Sequence, residues 1–464
     1  MKTVITLTLT GLLALTIQNA ASQTYWPEDF VTENATTKYK VIGYSGDGLD
    51  SPVDLDFNKT DPTELWVISM RTAGVGGNTV TYRNVGEASQ QAFLKKDGNS
   101  RHFMSMPTAI AFGANGNWGN SPGILDANFS NGQRAPFTGP SLWSSDFAIY
   151  AQNAGPGTNG SHLDMLHGSP HSVGIAWLEK NAYFVFDGQN GHVAMYDFMA
   201  DHGPGNSNHD DGRLRRYPEI SLKREGLIPS HMEIDPARKW LYVNDIGNKR
   251  IVRIDITSGN VKGRSSTAPS ETLAENFDME NVDWEIVANT GLDKPCGLDV
   301  TDSRLIVTDN GTSELIVYDL TQSIGFPEIG RMKLTGYNDV MGVKLDEEGK
   351  IWFVDKIGQV VIRIDNDNVS KREADGAFVG IAEEAVSAIS SYPNPVTNQL
   401  FFNGLPDATV NISVQDLSGR LVKFEAVESS TSAVDLSTLN KGVYILSIKN
   451  EEGLQIHSQR IIKQ

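Results

Sequence analysis

A strand unit recurs along this chain, and recurrence of that kind limits the fold more than any single motif does. The two plainest copies are neighbours. Ser169-Pro-His171-Ser-Val-Gly174-Ile-Ala-Trp177 leads into Tyr183-Phe-Val-Phe-Asp187 and then His192-Val-Ala-Met-Tyr196-Asp197. Ile228-Pro229-Ser-His231-Met-Glu-Ile234-Asp235 leads into Trp240-Leu-Tyr-Val-Asn-Asp245 and then Arg250-Ile-Val-Arg-Ile-Asp255. Each copy holds a proline, a short strand, a second strand ending in Asp, a Gly-containing turn and a third strand ending in Asp. Short β-branched and aromatic runs bounded by Gly, Asn and Asp are strand signals.

Other copies can be laid beside these. Ser51 to Phe57, Glu64 to Met70 and Asn78 to Tyr82 form a first copy, with Gln91 to Lys95 as a fourth strand. A divergent second copy starts at Met106-Pro107 and is expanded through Thr138, ahead of Ser141 to Tyr150. The fifth runs from Lys294-Pro295-Cys296-Gly297 to Asp319, and the sixth from Val340-Met341-Gly342 to Asp365. Positions 174, 231, 297 and 342 align with unequal spacing, so loops of different length interrupt one four-stranded unit. Pro218–Leu222, Trp284–Ala288 and Met332–Leu334 are the expected fourth strands of copies three, four and five. Copy six has none of its own, and the spare strand Lys38–Tyr44 is expected to close it, because an unpaired outer edge is a liability. The fold class expected is all-β: a closed six-bladed β-propeller.

Two resemblances rest on these residues. The Pro-x-Gly-[Ile/Val/Leu] start and the Val-x-Asp-x-Gly middle resemble NHL-type β-propeller repeats over residues 38–366. Ser391-Tyr-Pro393-Asn394-Pro395, Asp416-Leu-Ser-Gly419-Arg420, Leu439-Asn-Lys441-Gly442-Val-Tyr444 and a Lys463-bearing end closely resemble the C-terminal sorting domain of the Bacteroidetes type IX secretion system, over residues 391–464. The second resemblance implies a small immunoglobulin-like β-sandwich, the type IX machinery as a partner, and passage through the periplasm to the cell surface or medium. Residues 367–390 read as a linker and 23–37 as an irregular N-terminal segment. Residues 1–22, with Lys2, an apolar run and Ala20-Ala21-Ser22, read as a signal peptide.

The balance of charge narrows the partners. Lys and Arg total 39 against 57 Asp and Glu, a net charge of −18. Nucleic acid is excluded as a partner, since phosphate binding needs a basic footprint. No stretch is long and apolar enough to span a membrane. The single cysteine, Cys296, allows no intramolecular disulfide.

In a propeller, the loops entering the innermost strands and the turns between second and third strands open on one face, the expected ligand face. His102, His162, His167, His171, His192 and His231 fall there, whereas His202 and His209 fall on the other face and His457 in the tail. His231 stands in a slot that is glycine at 174, 297 and 342. His171 is delivered by a loop to the same mouth, and Cys296 precedes an aligned glycine. Imidazoles and a thiol from separate elements suit Zn or another transition metal. The candidate metal ligands are therefore His231, His171, His167, His102 and Cys296. Three histidines at a propeller mouth are also similar to the zinc-bearing lyase propeller that completes peptide amidation, where an Arg assists. That similarity implies an electrostatic role for Arg71.

The recurring Asp187, Asp245, Asp309 and Asp355 are expected to bond turn N–H groups, with Ca on Asp187 or Asp245 as the other option. The segment Asp201 to Gly212 loosely resembles a calcium loop. Trp66 and Trp177 sit in strand patterns and are expected in the core. Trp118 and Trp143 are expected to be exposed. Three functions follow: a secreted propeller whose insertions at 113–140 and 151–170 bind a glycan or peptide, a metal-dependent extracellular lyase or hydrolase with its metal at the mouth, or a structural or adhesive surface protein with no small-molecule site.

Overall fold

The computed structural model describes residues 23–129, 137–152, 159–206, 208–267, 269, 271–321, 325–373, 389–405, 409–416, 420–427, 433–449 and 455–464. Residues 1–22, expected to be a signal peptide, and residues 374–388 of the expected linker lie outside the described residues. The chain divides into two compact units, 1–377 and 378–464.

The first unit is the six-bladed propeller. Blade one is Pro52–Asn58, Asp61–Ser69, Asn78–Arg83 and Gln91–Lys95, each strand antiparallel to the next. Blade two is Pro107–Phe112, Asn117–Pro122, Ser141–Ser144 and Asp164–Met165. Blade three begins with Ile175–Glu179, Ala182–Asp187, His192–Asp197 and Arg213–Tyr217. Blade four is Met232–Asp235, Trp240–Asp245, Arg250–Asp255 and Trp284–Ala288. Blade five is Pro295–Val300, Arg304–Asp309, Glu314–Asp319 and Glu328–Lys333. Blade six is Val340–Leu345, Ile351–Asp355 and Val360–Asn366, and the N-terminal strand Thr37–Gly43 completes it by pairing with Val360–Asn366.

Closure of the ring shows in the packing. Six apolar clusters each join two adjacent blades, one cluster for every junction. The junction of blades six and one holds Val354 and Val361 against Leu55, Val67 and Val80. Each blade is apolar on both faces because it has a neighbour on both sides. That is why its strands read as near-continuous hydrophobic runs.

Three local expectations are corrected. The outer strand of blade three is Arg213–Tyr217, not Pro218–Leu222. Its arginines disguise it, yet Leu214 and Arg216 are both fully buried. Trp118 and Trp143 are not exposed: each is 0% accessible, and they stack with ring centroids 5.7 Å apart between blades one and two. Their indole N–H groups reach the Ser144 carbonyl and the Asn120 side chain, which makes the burial tolerable. Residues 23–37 are not wholly irregular. Gln23–Thr24 pairs with Arg372–Glu373, and a short helix, Pro27–Phe30, places Phe30 in the core between blades five and six.

Blade three is also extended. Asn260–Arg264 and Glu275–Glu280, inserted before the outer strand of blade four, form a hairpin whose Glu275–Glu280 strand runs parallel to Arg213–Tyr217. The recurring Asp residues clamp two loops at once. Asp245 accepts from Lys223 N–H (2.7 Å) and from Arg250 (2.6 Å). Asp309 accepts from Asp293, Lys294 and Thr312 N–H groups, and Asp355 from Asn338, Asp339 and Gly358. Asp187 takes the Asn190 N–H at 2.9 Å and the buried Arg216 at 2.9 Å.

The second unit is a β-sandwich. One sheet orders Ser390–Tyr392, Gln399–Asn403 and Ala433–Asp435; the other orders Leu421–Val427, Val410–Asp416, Gly442–Lys449 and Gln455–Lys463. Leu400, Ile412, Val414, Leu446, Ile448 and Ile461 are among the residues of its core. Asn394 ties the opening motif to the last strand, donating to the Arg460 carbonyl and accepting from Ile462 N–H.

Candidate functional site

The innermost strands bring polar side chains onto the propeller axis. Asp54 and Asp56 of blade one, two residues apart, point the same way on their strand. Each takes a backbone N–H of blade two: Ile110 to Asp54 at 2.9 Å and Phe112 to Asp56 at 2.7 Å. Asp299 of blade five does the same with Leu345 N–H of blade six at 2.7 Å. Carboxylates thus fasten neighbouring blades where their strands converge.

His231 occupies the upper axis. Its Nε2–H donates to the Thr108 carbonyl of blade two at 3.0 Å, and its Nδ1 lies 3.4 Å from Asp54 Oδ1. Burial pushes the imidazole down to about 4 and pushes Asp54 well above the usual carboxylate range. Glycine at the equivalent position of blade three has a steric reason: a Cβ on Gly174 would stand 2.2 Å from the Ser230 carbonyl.

Lys344 occupies the lower axis. Its ammonium pairs with Glu233 and lies 3.4 Å from Asp299 Oδ1 and 4.0 Å from Asp56 Oδ1. Burial opposes its charge, but Asp299, Glu233 and Asp56 outweigh that and hold it well above its ordinary value. Burial also raises Asp299 to about 6 against the pull of Lys344.

These groups form the floor of a cavity of about 440 Å³. Phe57, Asn58, Lys59, Trp177 and Leu178 are among its walls. Trp177 is half-buried, with the Lys59 ammonium 5.8 Å from its ring centroid. Asp56 to Lys59, Leu178, Asp299 and Lys344 lie in the C-terminal halves of their innermost strands or just beyond them. The funnel therefore opens on the face opposite the one expected for the ligand.

The candidate metal ligands have separate surroundings. The Cys296 thiol, fully buried, lies 3.3 Å from the Val340 carbonyl, and burial pushes it up to about 12. It meets His231 only through the backbone, where His231 N–H donates to the Cys296 carbonyl at 2.8 Å. His171, at a left-handed φ of 53°, donates from Nδ1 to the Gly123 carbonyl at 2.9 Å. His102 and His167 do come together, lining a second cavity of about 350 Å³ with His162 and His209. There His167 pairs with Glu271, and His102 donates to the Ala127 carbonyl at 3.2 Å. Arg71 pairs with Asp50 at 2.8 Å.

The strand pattern puts His209 on the opposite face from His167, yet their rings are 5.6 Å apart. The outer strand of blade two explains this: Asp164–Met165 has two residues, so the loops at its two ends nearly meet. Asp164, His202 and Asp211 also converge, with one ligand atom each inside a 4.8 Å cluster.

Ring closure, axial funnel and C-terminal sandwich define a six-bladed β-propeller protein with a second β unit. Residues 390–464 match the family described as the secretion system C-terminal sorting domain. This is a type IX sorting tail; it engages that machinery and sends the chain to the cell surface or extracellular space. No helix among the described residues is long and apolar enough to cross a membrane. No curated protein matches the sequence. Among solved structures, the chain is similar to an auxiliary nutrient binding protein from Bacteroides ovatus, at 12% identity, TM-score 0.43, covering 74% of this chain and 75% of that one. It is similar to PorZ, a surface component of the type IX secretion system of Porphyromonas gingivalis, at 13% identity, TM-score 0.34, covering 87% of this chain and 58% of that one. It is also similar to a streptogramin B lyase, at 11% identity, TM-score 0.41, covering 72% of this chain and all 100% of the other.

Proposed function

We propose that the propeller binds an extracellular glycan in the axial funnel. One observation carries this: a half-buried indole, Trp177, lines the same cavity as three carboxylates gathered around an ammonium. Sugar rings offer C–H faces to an indole and hydroxyls to carboxylates and Lys, and a cavity near 440 Å³ admits one or two sugar units. The net negative floor disfavours acidic sugars and favours neutral or amino sugars.

The alternative, a metal-dependent lyase or hydrolase at the opposite mouth, needs His231 and His171 free to converge. His231 instead has Nε2 on the Thr108 carbonyl and Nδ1 beside Asp54 Oδ1, and this favours the binding role. A glycan array probed with the purified chain tests the proposal. Binding to a neutral or amino glycan is expected, and Trp177→Ala is expected to weaken it at least about tenfold. A blank array, or a Trp177→Ala protein that binds as well as the parent, overturns it. Retention of peptides alone in a parallel library would replace the glycan with a peptide.

A further inference from the structure

We infer that Asp164, His202 and Asp211 form a binding site for one first-row divalent cation, Zn²⁺ being the best fit. The three residues come from two blades. Asp164 lies on the outer strand of blade two, and His202 and Asp211 lie in the loop between the third and outer strands of blade three. One atom from each lies within 4.8 Å of the others.

The second observation is Asp164 itself. It is 1% exposed, and its Oδ1 accepts from His209 Nδ1 at 2.6 Å and from Met165 N–H at 2.7 Å. Its Oδ2 is buried with no hydrogen-bond partner among the described residues. A buried carboxylate oxygen left without a donor costs free energy that a cation would recover.

The other two donors are already oriented. His202 Nε2 meets Asp211 Oδ1 at 2.8 Å, and Ala200 N–H holds Asp211 Oδ2 at 3.2 Å. The side chains of His202 and Asp211 are 16% and 37% exposed, so an ion has a path in from solvent. Ligand atoms about 2.0–2.2 Å from a tetrahedral ion stand roughly 3.3 Å apart. Parting the His202–Asp211 contact by about half an ångström meets that spacing. One imidazole with two carboxylates suits Zn²⁺; Ca²⁺ and Mg²⁺ prefer all-oxygen shells. His209 takes the place of the group that commonly orients a ligating carboxylate.

The site also answers a need. With one cysteine, this exported chain can hold no internal disulfide, and a cation would fasten the blade-three loop to blade two instead.

The test is a calorimetric titration of the full, chelator-stripped chain with Zn²⁺ at pH 7.5. One saturable equivalent is expected. His202→Ala and Asp211→Asn should each weaken it tenfold or more. Both positions keep some solvent exposure, so circular dichroism should show these variants folded. Zn²⁺ should also slow proteolysis of the blade-three loop in the parent and not in the variants. Absence of a stoichiometric site, or Zn²⁺ binding unchanged in both variants, overturns the inference. Uptake of Ca²⁺ with indifference to Zn²⁺ overturns the choice of ion.

Discussion

Burial sets what individual titratable side chains can do in this molecule. His162 shows the sign of the effect. It is 1% exposed, stacks on Phe103 with centroids 3.6 Å apart, and donates from Nδ1 to the Asn159 carbonyl at 2.9 Å. Burial pushes its imidazole down to about 4, against about 6.5 in an unfolded chain. Between those values the unfolded chain takes a proton that the native one refuses, so stability falls as pH drops from about 6.5 to 4. The slope is up to about 1.4 kcal/mol per pH unit for this group. His162→Phe keeps a ring on Phe103 and lacks the titration. On going from pH 7 to pH 4 the parent should lose about 3 kcal/mol more than the variant, read by urea unfolding. Asp54 and Asp299, whose raised values act with the opposite sign, are common to both proteins and cancel. Coincident profiles would mean that His162 is protonated in the folded protein.

Innermost strands carry most of the information in this fold, and they differ in how plainly their sequence shows it. The glycine slot at 174, 297 and 342 was legible because sterics impose it on those three copies. A Cβ at Gly342 would lie 2.9 Å from the Asp54 backbone, and one at Gly297 would lie 2.3 Å from the Met341 carbonyl. The closing strand was legible because blade six lacked an outer strand of its own. The funnel was not legible. Asp56, Glu233, Asp299 and Lys344 come one each from the innermost strands of four blades, and only ring closure brings them together. The outer strand Arg213–Tyr217 is masked in the sequence because Arg216, a charged residue, finds Asp187 and the Gly168 carbonyl inside the protein. Lys344 should be the costliest of these axial groups to remove. Lys344→Met leaves Glu233, Asp299 and Asp56 without the ammonium they share, which costs about 3–5 kcal/mol. Adding Glu233→Gln should recover part of that, because one buried charge goes with its partner. Urea unfolding of the two variants measures both. A single substitution costing less than about 1 kcal/mol would show that the carboxylates do not depend on this ammonium.

At the scale of the whole molecule, the sorting domain and the ring are units with separate interiors. The sandwich core draws on residues 389–461, whereas the six inter-blade cores draw on residues 25–369. The propeller is closed by its own Thr37–Gly43 strand and by the Gln23–Thr24 pairing with Arg372–Glu373, neither of which involves the tail. A chain ending at residue 377 should therefore keep the complete ring. Its thermal midpoint should fall within a few degrees of the propeller transition in the full chain, since no apolar cluster is cut. The same truncation removes the sorting domain at 390–464, so the protein should remain in the periplasm rather than reach the surface. Circular dichroism melts and protease accessibility on intact cells read the two outcomes separately. A truncated chain that melts far below the full one would show that the tail supports the ring. One that still reaches the surface would show that a signal outside the sandwich suffices for export.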